Sequence, residues 1–203
     1  MSQAVVKRAI RKDLLTKRKE LFKNCDCTAS APKMFNLIAS MIKPELREEL
    51  VLAGYFPVNN EFNIIPLLSY FNKESWAVAL PVIHKNSRQL RFHHWNNLNP
   101  GDLINSRYNI PIPNPMISLQ LYPSILLVPV VGFTNTCARL GYGGGYYDST
   151  ISELKTMNKL KLAIGVAYEG QICDSIPQED KDQMLDAVIT EKFLYFKDYS
   201  IGL

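Results

Sequence analysis

Residues 139–148 read RLGYGGGYYD and hold four of the chain's ten glycines. Glycines let successive backbone N–H groups turn inward, and a helix starting behind them adds positive potential; together these make a cradle for phosphate. Arg139 stands at the mouth of the stretch, where a guanidinium pairs with phosphate oxygens. Asp148 closes it, where a carboxylate holds a magnesium ion that bridges those phosphates. Singly, each has a plainer use, Arg139 in a surface ion pair and Asp148 as the negative charge of a helix's first turn, and the glycines alone fit a tight turn. Together, within ten residues, they point to a nucleotide site. The pattern is not a dinucleotide fingerprint, because the sixth position counted from Gly141 is Tyr146, and not a P-loop, because no Gly-Lys-Ser/Thr follows.

The elements that position this loop are legible in the periodicity. Val6, Ile10, Leu14, Leu15 and Leu21 recur at helical spacing with basic residues between them, which predicts an amphipathic helix over 3–23. A second helix is expected over 32–43, with Pro32 in its first turn. LVLAGYFPV (50–58), WAVALPVI (76–83) and LRFHHW (90–95) read as strands, with a helix starting at Pro66 between the first two. Residues 96–117 carry four of the twelve prolines and read as an irregular loop. SILLVPVVGF (124–133) is continuously apolar, as a central strand covered on both faces must be. The glycine loop, a helix over 146–158 and the strand KLAIGVAY (161–168) follow. IPQEDKDQMLD (176–186) reads as a loop or a short turn of helix, and AVITEKFLYF as one strand or two short ones. Strands alternating with helices predict an α/β fold: one domain over 1–203, a three-layer sandwich with a mostly parallel central sheet and helices on both faces. Ligands in such sheets bind beyond the carboxyl ends of the strands, where the glycine loop falls.

Composition narrows the partners. The chain is 47% hydrophobic and 21% charged, ordinary for a globular protein. No apolar stretch reaches the roughly 18–20 residues that span a bilayer. MSQAVVKRAIRKDLLTKRKEL lacks an apolar signal core; it is basic enough to raise a transit peptide, but its pattern runs on as a helix into the body. A cytoplasmic protein is therefore expected. Cys25, Cys27, Cys137 and Cys173 form no CxxC, and Cys25 and Cys27 stand too close in sequence for an easy disulfide, so reduced thiols are expected. The net charge of +4 suits an anionic small ligand without demanding nucleic acid. Dense basic residues over the first 23 positions read as a solvated helix face.

RLGYGGGYYD is similar to the signature of the 5-formyltetrahydrofolate cyclo-ligases, also called 5,10-methenyltetrahydrofolate synthetases. KRAIR resembles that family's Lys-x-x-x-Arg helix, YFPVNNEF its strand ending in a substrate-facing Glu, and WAVALPVI and LRFHHW its next strands. IPQEDKDQMLD resembles its late acidic turn and AVIT the strand after it. The resemblance implies that ATP and Mg2+ convert 5-formyltetrahydrofolate to 5,10-methenyltetrahydrofolate, ADP and phosphate through a phosphorylated formyl group. It implies that Lys7 and Arg11, whose i, i+4 spacing puts both on one helix face, meet the ATP phosphates. Arg139, Leu140 and the backbone of Gly141, Tyr142, Gly143, Gly144, Gly145, Tyr146 and Tyr147 would wrap the nucleotide. Asp148 and Asp182 would hold magnesium, with Glu179, Asp180 and Asp186 as neighbours that leave the register at Asp182 open. Glu61 would bond the pterin ring, Phe56 would pack beside the folate, and Tyr147 would lie at the substrate. Tyr108 falls where the family often has an aromatic. The implied partners are the reduced folate and ATP, with no nucleic acid, no membrane and a monomeric state. No residue is assigned as catalytic acid or base, since His84, His93 and His94 lie in strand-like stretches.

The chain also departs from the family. Where the family commonly reads Phe-Asp-x-x-Gly-x-Arg, this sequence reads FTNTCAR, with Thr134 and Cys137 in place of Asp and Gly. That motivates a second reading, a weakened relative that binds nucleotide or folate without turnover. Ser149 stands where an Arg usually follows YYD. A third reading, an RNA-binding module, rests on the basic first helix and the loop tyrosines; the modest charge and the lack of any RNA-binding motif argue against it.

Overall fold

Residues 125–129 alternate their apolar side chains between two faces, and the molecule is built outward from them. Ile125 and Leu127 join one core and Leu126 and Val128 the other, all fully buried. The computed structural model describes residues 2–96, 102–106, 109–197 and 199–202. Strand β7 (Ile125–Pro129) lies between β1 (Val51–Ala53) and β10 (Leu162–Val166), with β2 (Ala77–Ile83) outside β1 and β11 (Ala187–Ile189) outside β10. All four of these pairings are parallel. Antiparallel strands finish both edges: β3 (Leu90–His94) and β6 (Gln120–Leu121) beyond β2, β12 (Phe193–Phe196) and β13 (Tyr199–Gly202) beyond β11.

Helices cover both faces, as the alternation requires. Helices α2 (Cys27–Ser40) and α3 (Ile65–Lys73) bring Met34, Ile38, Leu68 and Phe71 onto Leu52, Val78, Leu127 and Ile164. On the other face α4 (Tyr146–Thr156) sets Ile151 and Leu154 against Leu126, Val128, Phe92 and Val188. Helix α1 (Gln3–Asn24) lies across one end of the sheet, close to two glycines. A Cβ at Gly132 would stand 2.3 Å from a Leu14 methyl, and one at Gly170 would stand 2.7 Å from a Leu21 methyl.

Three sequence expectations need correction. Helix α2 starts at Cys27, not Pro32, because the Asp26 carboxylate accepts hydrogen bonds from the Thr28 and Ala29 amides at 3.0 Å each and caps the helix upstream. Pro32 is thus inside the helix, where it forfeits one backbone bond. Residues 96–117 are not wholly irregular: β4 (Leu103–Asn105) and β5 (Pro111–Pro113) form a hairpin closed around Asn109, whose φ is +57°. SILLVPVVGF is not one strand. β7 stops at Pro129, and β8 (Gly132–Phe133) leaves the sheet to pair with β9 (Arg139–Leu140), so a hairpin intervenes before the glycine loop. Tyr108 lies outside the described residues.

Truncating Leu127→Ala should cost about 2–5 kcal/mol in urea unfolding, the range for a large cavity in a rigid core. Leu119→Ala, at a side chain 69% exposed, should stay within about 0.5 kcal/mol.

Candidate functional site

A cavity of about 670 Å³ opens beyond the carboxyl ends of β1, β2 and β7, where a parallel sheet places its ligands. Tyr55, Phe56, Pro81 and Pro129 supply apolar walls from the strand ends, and Ile110 and Ile112 from the β4–β5 hairpin. Of the residues that the sequence singled out for ligands, all but Tyr108, which is not among the described residues, line it: Lys7 and Arg11 from α1, Phe56 and Glu61 after β1, the whole stretch 139–148, and Asp182 from the segment before β11.

The charged groups meet in two pairs. Lys7, only 8% exposed, has its Nζ 2.5 Å from Asp182 Oδ2 and 3.4 Å from Glu179 Oε1. Arg139, also 8% exposed, has Nη2 2.5 Å from Asp148 Oδ1. Each carboxylate takes its second hydrogen bond on the same oxygen, Asp182 Oδ2 from the Glu179 amide at 2.8 Å and Asp148 Oδ1 from the Gln183 amide at 3.0 Å. Among the described residues the other oxygen of each accepts no hydrogen bond. Arg139 Nε is buried with no partner among the described residues. A buried donor without a partner costs about 1–3 kcal/mol, which an anion in the cavity would recover.

The glycine loop has the conformation its composition suggested. Gly143 and Gly145 take φ of +94° and +69°, a region hostile to side chains, and Gly145 leads directly into α4. Among the described residues the amides of Gly143, Gly144 and Gly145 make no hydrogen bond. Arg11 stands over the loop: its Nε donates to the Gly141 carbonyl at 2.8 Å, and its Nη2 lies 3.5 Å from where a Cβ of Gly143 would be. Free amides, a helix N-terminus and a guanidinium group are the kinds of donor that can receive an anion.

The cavity is also lined by Glu61, which is 5% exposed and accepts a hydrogen bond from the Val58 amide at 2.9 Å. Burial pushes its pKa above the ordinary carboxylate value, opposed by that amide, by the Arg18 charge and by the Tyr142 hydroxyl. Arg18, 1% exposed, donates to the Asn59 carbonyl at 2.8 Å and to the Tyr142 hydroxyl, with its guanidinium carbon 5.3 Å from the Tyr142 ring centre. Burial, reinforced by the Glu61 charge, raises the pKa of the Tyr147 hydroxyl and keeps it a donor at neutral pH.

Sequence reasoning missed Arg18, Arg88 and Lys181. Arg18 continues the Lys7–Arg11 face by two helical turns, a signal hidden by reading the basic residues as a solvated face. Buried Lys7, Leu14 and Arg18 share that face. Arg88 comes from the β2–β3 turn and Lys181 from the loop before β11, and both line the cavity with no local motif. None of the three histidines lines it. Among the described residues no cluster of three or more His, Cys, Asp or Glu side chains is gathered for a metal.

Two of the three departures from the family, Thr134 and Cys137, lie in one hydrogen-bonded turn. The Thr134 hydroxyl accepts from the Ala138 amide at 3.2 Å, and the Thr134 amide donates to the Ala138 carbonyl at 3.0 Å. Cys137 holds the left-handed φ of +63° that suits Gly, with its side chain buried.

The sequence pattern described as the 5-formyltetrahydrofolate cyclo-ligase family matches residues 3–191. The chain belongs to this family. It is similar to the 5-formyltetrahydrofolate cyclo-ligase of Escherichia coli, with 29% identity over 68% of this chain and 76% of that one. It is similar to that of Mycoplasma genitalium with 26% identity over 91% and 98%. In three dimensions it resembles the 5,10-methenyltetrahydrofolate synthetase of Aquifex aeolicus, with a TM-score of 0.69, 25% identity, and coverage of 98% of this chain and 96% of that one. The cyclo-ligases are enzymes of the ligase class. None of the described helices is long and apolar enough to cross a membrane.

The raised pKa of Glu61 has a direct consequence. Folding favours its protonated form, so its ionisation costs stability as pH rises through the raised value. Glu61→Gln should therefore be more stable than the parent at neutral pH, and the difference should vanish at pH values where the carboxyl is protonated in both folded and unfolded chains. Urea unfolding across pH checks both the sign and the window.

Proposed function

We propose that the chain closes 5-formyltetrahydrofolate to 5,10-methenyltetrahydrofolate at the expense of ATP, releasing ADP and phosphate. The observation that carries this reading is one cavity lined both by the glycine loop with its cations and by a buried carboxylate, Glu61. Family membership supports the folate as substrate. The formyl oxygen attacks the γ-phosphorus, and the bond from that phosphorus to the β-phosphate oxygen breaks, freeing ADP. The phosphorylated oxygen is now a leaving group. N10 attacks the formyl carbon, loses its proton, and phosphate departs as the ring closes.

The protein's part is positioning and charge. Lys7, Arg11 and Arg139 hold the triphosphate with the amides of 143–145. Arg88 and Lys181 extend the same positive wall. Glu61 accepts from the pterin N–H edge, Tyr147 donates to the substrate, and Phe56 packs beside the ring. A magnesium ion fits this site, because the free oxygens of Asp148 and Asp182 form an all-oxygen donor pair and this ion takes one or two carboxylates with phosphates and water. Bound there, it would neutralise phosphate charge. Thr134 braces its turn, which weighs against a relative that binds without turnover. On this reading the enzyme works as a cytoplasmic monomer on small molecules.

The test is absorbance in the methenyl product's band, with purified protein, 5-formyltetrahydrofolate and Mg2+, with and without ATP. Signal should grow only with ATP. Lys7→Met and Asp148→Asn, each checked for folding, should lower kcat/KM by about 100-fold or more, the usual cost of removing one transition-state contact. Growth without ATP, or no growth while ATP binds, would overturn the proposal.

A further inference from the structure

Away from this cavity, two thiols meet where two helices join. Cys25 ends α1 and Cys27 is the first residue of α2, and their Sγ atoms lie 3.7 Å apart. Adjacency in sequence suggested that such a pair would not close easily, but the bend at Asp26 turns both sulfurs to the same side. Both residues are partly exposed, unlike the buried Cys137.

The pair borders a second cavity, of about 390 Å³, whose lining includes Cys25, Leu21, Asn24, Tyr168, Glu191 and Lys192. Cys25 therefore faces an entry route, with Cys27 behind it. The helix ends make the two sulfurs unequal: Cys25 sits at the negative end of one helix, Cys27 at the positive end of another. Between the two thiols the Cys27 S–H donates to Cys25; once Cys27 is ionised the remaining proton is on Cys25 and its S–H donates to the Cys27 thiolate. That hydrogen bond, with help from the Asn63 amide and the Tyr168 hydroxyl, draws the Cys27 thiol down to about 7, while the same contact pushes Cys25 up. Nothing in the proposed reaction uses either thiol.

We propose that Cys25 and Cys27 form a reversible thiol–disulfide site that exchanges with small-molecule disulfides entering the cavity beside Cys25. The Cys25 sulfur attacks a disulfide RSSR as its proton passes to Cys27; a Cys25–S–S–R bond forms and RS⁻ leaves. Cys27 releases that proton to RS⁻, giving RSH, and as a thiolate attacks the Cys25 sulfur; the bond from Cys25 to SR breaks, and the second RS⁻ takes back from solvent the proton that Cys27 lost on ionising. Two thiols are oxidised to one disulfide, and one RSSR is reduced to two RSH. Bonding distance for two sulfurs is about 2.05 Å, so closure draws Cys27 away from Asn63 and Tyr168. The Tyr168 hydroxyl donates to the Glu61 carbonyl at 3.1 Å, which places the switch behind the substrate end of the main cavity.

The test incubates the folded protein with oxidised glutathione at neutral pH, alkylates the remaining thiols and maps the peptides by mass. The expected product is an intramolecular Cys25–Cys27 disulfide, two hydrogens lighter, restored by excess reduced glutathione, with Cys137 and Cys173 alkylated. Cys27→Ser should instead trap the glutathione adduct on Cys25. The readout is mass rather than turnover, so it stands apart from the cyclo-ligase reading. Cys25 and Cys27 both alkylated after treatment, or an adduct forming first on Cys173, would overturn the proposal.

Discussion

Cations buried on the first helix need carboxylates, and that need draws distant parts of the chain to one cavity. Lys7 and Asp182 are 175 residues apart in sequence and 2.5 Å apart in space. A charge buried to this degree without a partner is strongly destabilising, about 3–5 kcal/mol when a buried pair is broken. The pair therefore ties α1 to residues 176–186, a segment with little regular structure of its own. The Arg139–Asp148 pair does the same for the ends of the glycine loop. Both pairs stand where the proposed triphosphate would lie. On that proposal phosphate oxygens would compete for the same two cations, and the carboxylates so released would be free to hold the metal.

The glycine loop and Glu61 are also joined through one side chain. Tyr142 belongs to the glycine loop, and its hydroxyl meets Arg18 and the Glu61 carboxyl. Gly141 and Gly143 flank it, so the loop proposed to take phosphate also carries the tyrosine that meets Glu61.

Elements with strong patterns were legible: α1, α3, α4, β2, β3 and β10 stand close to where the sequence put them, whereas β1 covers only Val51–Ala53 of the nine residues read as a strand. What failed did so for local reasons. The Asp26 cap outweighed Pro32 as the start of α2. Pro129 ended a run that reads as one strand, and the hairpin after it has no periodicity to betray it. That RLGYGGGYYD would line the ligand cavity was readable, because a cluster of glycines and charge after a central strand falls where such sheets open. Arg88 and Lys181 were not, because they reach the cavity only through tertiary packing. Arg18 was hidden by the ordinary rule that a basic helix face is solvated; here that face turns inward to carboxylates and carbonyls.

The central claim is that phosphate and folate are held in one cavity so that the formyl oxygen itself takes up the phosphoryl group. Labelling that oxygen with the heavy isotope and analysing the released phosphate by mass tests it directly. The account predicts one labelled oxygen in each phosphate formed. Label lost to water, with unlabelled phosphate, would contradict it.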